Sequence, residues 1–184
     1  MRPRTILFGL IASVSVAHAQ ALVPPERWVP LRGDQVVVNR GENWGYFVHR
    51  NGFVLHFPLA TGRQRIVHYL GRTYDATTPL GYWEAQKHEK KGDRITFGKT
   101  GEFWRLFRDG KPTPYGIHDV EASERWMQLP DDERFKTYGC VAMGTESIDL
   151  FRDTFEQDDH DVKVWVMANE GEAQAKIAEI VHGT

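Results

Sequence analysis

The chain has 184 residues, 41% of them hydrophobic and 26% charged, with a formal net charge of −2 and a single cysteine. That length suffices for one domain with a full core and no disulfide staples. The mild acidic balance gives no reason to expect nucleic acid or an anionic membrane surface as a partner.

Taken in chain order, residues 1–19 read as an export signal. Arg2 and Arg4 open it, Ile6 to Ala17 is almost wholly apolar, and Ala17-His18-Ala19 forms an A-x-A cleavage site ahead of Gln20. The apolar run is shorter than the roughly 20 residues that span a bilayer. No cysteine follows the cleavage site, so lipid anchoring there is excluded. A soluble periplasmic protein without stable membrane insertion is expected. Residues 20–34 form a proline-rich arm through Pro24, Pro25 and Pro30, read as a linker in preference to a stiff segment lying across a cleft. Residues 35–184 are then one domain.

Gln35 to Asn39 is a β-branched run. Trp44 to His49 and Phe53 to Phe57 flank Arg50-Asn51-Gly52, a strong hairpin signal. Arg94 to Phe97 and Phe103 to Phe107, joined by Gly98-Lys99-Thr100-Gly101-Glu102, read as a second hairpin. Asp109-Gly110 precedes a strand from Tyr115 to Val120. Ala122 to Leu129 reads as a helix ended by Pro130. Thr145 is the expected cap of a helix from Glu146 to Phe155, whose Ile148, Phe151 and Phe155 recur on one face. Val162, Val164 and Val166 alternate with Lys163 and Trp165 as a strand, and Gly171 to Val181 is a short helix. The pattern predicts a mainly β protein, a sandwich or barrel with a few short helices.

Cys140 is the residue with the sharpest chemical meaning. A lone thiol on an exported chain has no disulfide partner and is open to oxidation, so its presence points to a task. It lies in Thr137-Tyr138-Gly139-Cys140-Val141, and His118 precedes it by 22 positions. Imidazole is the common base that turns a thiol into a thiolate near neutral pH. The alternative reading is a small buried cysteine that only packs. Gly139 would let the backbone turn sharply, and the amides of Gly139 and Cys140 could face an oxyanion. Thr137 would tighten the loop.

The stretch from Tyr115 to Met143 resembles the signature of the L,D-transpeptidase catalytic domain, a family of exported enzymes that cross-link peptidoglycan. The matching residues are His118, Thr137, Gly139, Cys140 and Val141. The resemblance implies an L,D-transpeptidase-like fold over residues 35–184, with Cys140 as nucleophile and His118 as base. The ring would be oriented by the backbone carbonyl of Asp119, as is common in the family, or by the Asp119 carboxylate. Tyr138, Tyr115 and Arg134 are candidates for substrate binding. Three positions depart from the family pattern: Asp119 replaces Gly or Ser, Tyr138 replaces a basic residue, and Ala142 replaces Arg or Asn. Arg134 or Arg125 would have to supply the missing cation.

The resemblance implies donor and acceptor stem peptides as partners, a monomer, and no cofactor. No metal is expected either, because His49, His56, His68 and His88 lack ligand spacing. The reaction would join stems through a thioester, linking either two diaminopimelates or the first residue of a donor stem to diaminopimelate. A stem-peptide hydrolase using the same pair and a non-catalytic cell-wall-binding protein are the alternatives. Trp83, Trp104 and Trp126 with Tyr82 read as core aromatics before a sugar platform. Lys87, His88, Lys90 and Lys91 read as a solvated loop.

Overall fold

The computed structural model describes residues 21–183; the expected export signal lies outside them. In chain order the elements are β1 (Ala21–Leu22), β2 (Gln35–Asn39), β3 (Trp44–Val48), β4 (Phe53–Gly62), β5 (Ile66–Tyr69), β6 (Arg72–Asp75), β7 (Gly81–Lys90) and α1 (Arg94–Phe97). Then come β8 (Glu102–Arg108), β9 (Lys111–His118), α2 (Ser123–Met127), β10 (Phe135–Thr137), β11 (Val141–Met143), α3 (Thr145–Gln157), β12 (Val162–Met167) and α4 (Glu170–His182).

The large sheet runs β1-β4-β11-β9-β8-β7-β12-β2-β3, and β3 pairs back onto β4, so the sheet closes on itself as a barrel. Closure removes the open edges that would otherwise invite pairing with another chain. The valines of β2 and β12 pair in parallel, Val36 with Val164 and Val38 with Val166, and all four are buried. They join Phe47, Leu55, Trp104, Ile117, Val141 and Met143 in one core with Ile148, Phe151 and Phe155 of α3. Each such side chain contributes about 1.5–3 kcal/mol by leaving water. On the opposite side, Ala173, Ile177 and Ile180 of α4 cover Val37, Tyr46 and Val54. The smallest cluster, Ala60, Val120 and Ala142, lies under Trp126 and Met127 at α2.

Several local expectations are corrected. Arg94–Phe97 is one helical turn, because the Asp93 carboxylate caps the amides of Ile95 and Thr96 and Gly98 leaves at φ +69°. The hairpin partner of β8 is therefore β7, which also contains Lys87, His88 and Lys90 of the basic run read as a loop. Thr145 is the first residue of α3 and not its cap; Gly144 precedes it, and the Thr145 amide bonds to Glu124 Oε1 at 2.9 Å. The arm does not behave as a linker. Its β1 adds to β4, and Trp28 is buried with its ring stacked at 3.7 Å on His49, which pairs with Asp34. Trp83 and Trp104 are core residues. Among the described residues no helix is long and apolar enough to cross a membrane.

Candidate active site

Cys140 sits in the three-residue connection between β10 and β11. The turn depends on Gly139, whose φ is +112°; a Cβ there would lie 2.6 Å from Cε1 of Tyr115. The Thr137 hydroxyl donates to the Cys140 carbonyl at 2.6 Å and accepts from the Gly139 amide at 3.2 Å. The buried Thr78 hydroxyl donates to the same carbonyl at 3.3 Å and accepts from the Gly62 amide at 2.9 Å. The loop is thus tied from two sides. Since Thr137 occupies the Gly139 amide, only the Cys140 amide remains of the two expected to face an oxyanion.

His118 ends β9, which runs parallel to β11 with Ile117 opposite Val141 and His118 opposite Ala142. Opposed residues share a face, so His118, Ala142 and Cys140 project to the same side while Ile117, Val141 and Met143 enter the core. Cys140, the residue just before β11, carries this pairing on toward Gly116, so it and His118 are diagonal neighbours, with Cα atoms roughly 8 Å apart from strand spacing and rise. His118 Nδ1 donates to the Asp119 carbonyl at 2.7 Å, which leaves Nε2 as the proton acceptor. The Asp119 carboxylate instead accepts from the Val120 amide at 2.6 Å and lies against Gly98. Backbone, not carboxylate, orients the ring. Phe97 meets the imidazole edge-on at 5.2 Å and Phe103 stacks at 5.9 Å.

Burial dominates the electrostatics of both groups. It pushes the Cys140 thiol up to about 11, against the Gly116 amide and the Arg105 charge. It pushes His118 below its usual 6.5, against the Asp119 and Thr96 carbonyls and the Asp119 charge. Cys140 keeps part of its surface exposed, yet the surrounding protein desolvates its charged form. The resting pair is a neutral thiol beside a neutral imidazole. This differs from the expected standing thiolate, because burial outweighs the nearby donors.

Aromatic rings wall the site. Tyr138 stacks on Tyr69 of β5 at 4.3 Å, and the Arg63 guanidinium lies 4.4 Å over the Tyr138 ring. Tyr115 packs against Gly139 and meets Trp83 edge-on. The Tyr74 and Tyr115 phenols are pushed up first by burial and then by proximity to Cys140. Sequence reasoning found Tyr115 and Tyr138 but missed Tyr69, Tyr74, Thr78 and Arg105. The β5–β6 hairpin carries no Asn-Gly signal, since its positive-φ turn is Leu70-Gly71.

One expectation about charge is corrected. Arg134 is 2% exposed, and its guanidinium donates to the carbonyls of Leu59, Leu129 and Asn43 at 2.9–3.1 Å. It ties β4 to the α2–β10 connection and is not available to a substrate. Ala142 is fully buried under Trp126 and Met127, so a long polar side chain there would displace α2 before reaching the site. Among the described residues no group of three or more His, Cys, Asp or Glu is arranged to hold a metal.

With this geometry in view, residues 33–166 match the L,D-transpeptidase catalytic domain family, YkuD. The chain belongs to that family. The fold is similar to an L,D-transpeptidase from Xylanimonas cellulosilytica, with a TM-score of 0.53 and 18% identity over 74% of this chain and 61% of that one. It is also similar to Bd1075 of Bdellovibrio bacteriovorus, with a TM-score of 0.50 and 11% identity over 83% of this chain and 56% of that one. A variant of the helical cell shape determining protein Pgp2 from Campylobacter jejuni gives a TM-score of 0.50 and 20% identity over 78% of this chain and 49% of that one. The chain spans between about half and three fifths of the length of these proteins. At these identities the likeness is one of fold. No curated protein matches the chain.

Proposed function

We propose that the protein is a cysteine L,D-transpeptidase of the periplasm, exported by residues 1–19, that joins peptidoglycan stem peptides through a thioester. The observation that carries this reading is the placement of Cys140 just before β11, which pairs in parallel with the strand that ends in His118, whose Nδ1 is held by the Asp119 carbonyl.

The chemistry follows from the neutral resting pair. As Sγ of Cys140 attacks the donor carbonyl, Nε2 of His118 takes the thiol proton, so charge develops only when substrate is present. The carbonyl oxygen becomes an oxyanion near the Cys140 amide. Collapse expels the donor's leaving amine, which takes the proton from His118, and leaves a thioester on Cys140. An acceptor amine, that of a diaminopimelate side chain, then attacks the thioester and loses its proton to His118. The amide forms, sulfur leaves, and the proton returns to it.

Incubating purified protein with defined muropeptides and weighing the products tests this. Cross-linked dimers are expected. Shortened monomers would instead make the protein a hydrolase, and unchanged substrate would make it a binding protein.

A further inference from the structure

The outer face of the sheet carries a concentration of positive charge two strands from Cys140. Glu89 of β7 is met by three cations. Arg105 of β8 grips it with Nε at 2.6 Å and Nη2 at 2.9 Å, Lys87 lies 3.4 Å away, and Lys91 bonds the same carboxylate. One arginine fork would already satisfy a single carboxylate. The additional lysines leave the cluster with two positive charges in excess.

Arg105 is held in place. Its Nη1 donates to the Thr113 carbonyl at 2.6 Å, so three of its N–H groups are engaged while the side chain stays 22% exposed. Of the five N–H donors on a guanidinium, two remain for a ligand. Lys87, Glu89 and Arg105 line an open depression of about 550 Å³ with Phe107, Pro112, Thr113 and Pro114. Strand register connects this depression to the thiol. Lys87 lies opposite Arg105 and Arg105 opposite Gly116, the residue before Ile117, which itself pairs with Val141 next to Cys140. Two strand spacings are about 10 Å, which an arginine side chain and one peptide residue of roughly 3.5 Å bridge.

We propose that this depression is a carboxylate subsite for the stem peptide at Cys140, with Arg105 donating the hydrogen bonds and Lys87 and Lys91 supplying charge. The inference rests on the transpeptidase reading and names part of its substrate. The recognised group is the free α-carboxylate of the γ-linked glutamate, which is carried by the leaving residue when the donor is the first residue of the stem and by the residue before the attacked carbonyl's own when the donor is the third. Glu89 and Thr113 position the guanidinium and do not touch the substrate. The cation that the family places two residues after the cysteine is supplied here from β8.

The test compares a stem tetrapeptide carrying a free glutamate α-carboxylate with the same peptide amidated there. Wild-type KM should be about 10- to 100-fold higher for the amide, the range of one charge-assisted contact, with kcat little changed. Arg105→Gln should remove most of this difference, leaving only the smaller share of the lysines. Lys87→Gln, at a side chain 61% exposed, should reduce the discrimination by a smaller factor. Calorimetric binding of both peptides to Cys140→Ala separates this inference from the reaction. Carboxylate-dependent binding without turnover in wild type would overturn the transpeptidase reading and keep the subsite. Equal KM values or equal binding would overturn the subsite and keep the transpeptidase. Discrimination undiminished by Arg105→Gln would remove Arg105 from the role.

Discussion

The strands β9 and β11 have two faces, and the contrast between them explains the site. Inward, Ile117, Val141 and Met143 are fully buried among aliphatic and aromatic neighbours, and their position is fixed by volume. Outward, His118 is held by its Nδ1 donating to the Asp119 carbonyl, and the Cys140 carbonyl accepts from the Thr137 and Thr78 hydroxyls. The outer face is covered by small additions: the single turn of α1, the β5–β6 hairpin and Tyr138. Stability and chemistry therefore reside on opposite faces of the same strand pair, and substitutions should separate them.

The largest effect should come from exchanging the two faces as targets. Cys140→Ala should lower turnover by at least about 10⁴-fold while leaving the melting temperature near that of wild type. Phe151→Ala, in the inner core, should cost about 3–5 kcal/mol in urea unfolding while the surviving folded protein still turns over. Loss of turnover and stability together in Cys140→Ala would show that the faces are coupled.

Gly139→Ala attacks the junction between them. The positive φ and the Tyr115 ring both oppose a Cβ, so about 1–3 kcal/mol of stability and at least tenfold in turnover should be lost. Tyr115→Ala in the same chain should recover part of the stability, because it removes the contact but not the backbone strain. No recovery would place the whole cost in the backbone.

The outer face also fixes the pH dependence. His118 must be neutral to accept the thiol proton, and burial holds it below 6.5. Activity should rise with pH through that lowered value, about tenfold per unit in the acid limb, and stay level through neutrality toward the Cys140 limb near 11. The sign for stability is the same at the acid end. The unfolded chain protonates His118 first, so stability should fall as pH drops below 6.5. An acid limb above 6.5 in a profile of kcat/KM would contradict the buried neutral ring.

The smallest change expected is at Ala142. Restoring the family's asparagine or arginine there should destabilise by about 1–3 kcal/mol through crowding of Trp126 and Met127, without improving catalysis. A gain in turnover would mean that α2 yields and the side chain reaches the site.

Where the sequence was readable, local pattern and tertiary packing agreed. The valines of β2 and β12, the Asn51-Gly52 turn and the Ile148, Phe151, Phe155 stripe each bury the face that their period implies. His118 and Cys140 were legible because the order of residue types constrains their chemistry. α1 was not, since Ile95, Thr96 and Phe97 favour a strand and only the Asp93 cap and Gly98 make them a turn. Arg134 looked like a spare cation because its carbonyl partners come from distant segments. Arg105 was invisible as a neighbour of Cys140 for the same reason: strand register across β8, β9 and β11 is a property of the closed sheet.

The two threonines on the Cys140 carbonyl have one more consequence. Thr78 and Thr137 reach it from segments on either side of β7, β8 and β9, so the thiol acquires its native surroundings only when the ring of strands has closed. Cys140 is also the only sulfhydryl in the chain. Its ordinary value of 9.0 becomes about 11 on burial, a roughly 100-fold drop in thiolate fraction near neutral pH. The residue is therefore a built-in clock. A brief pulse of alkylating reagent during refolding would label chains whose barrel is still open and spare those that have closed.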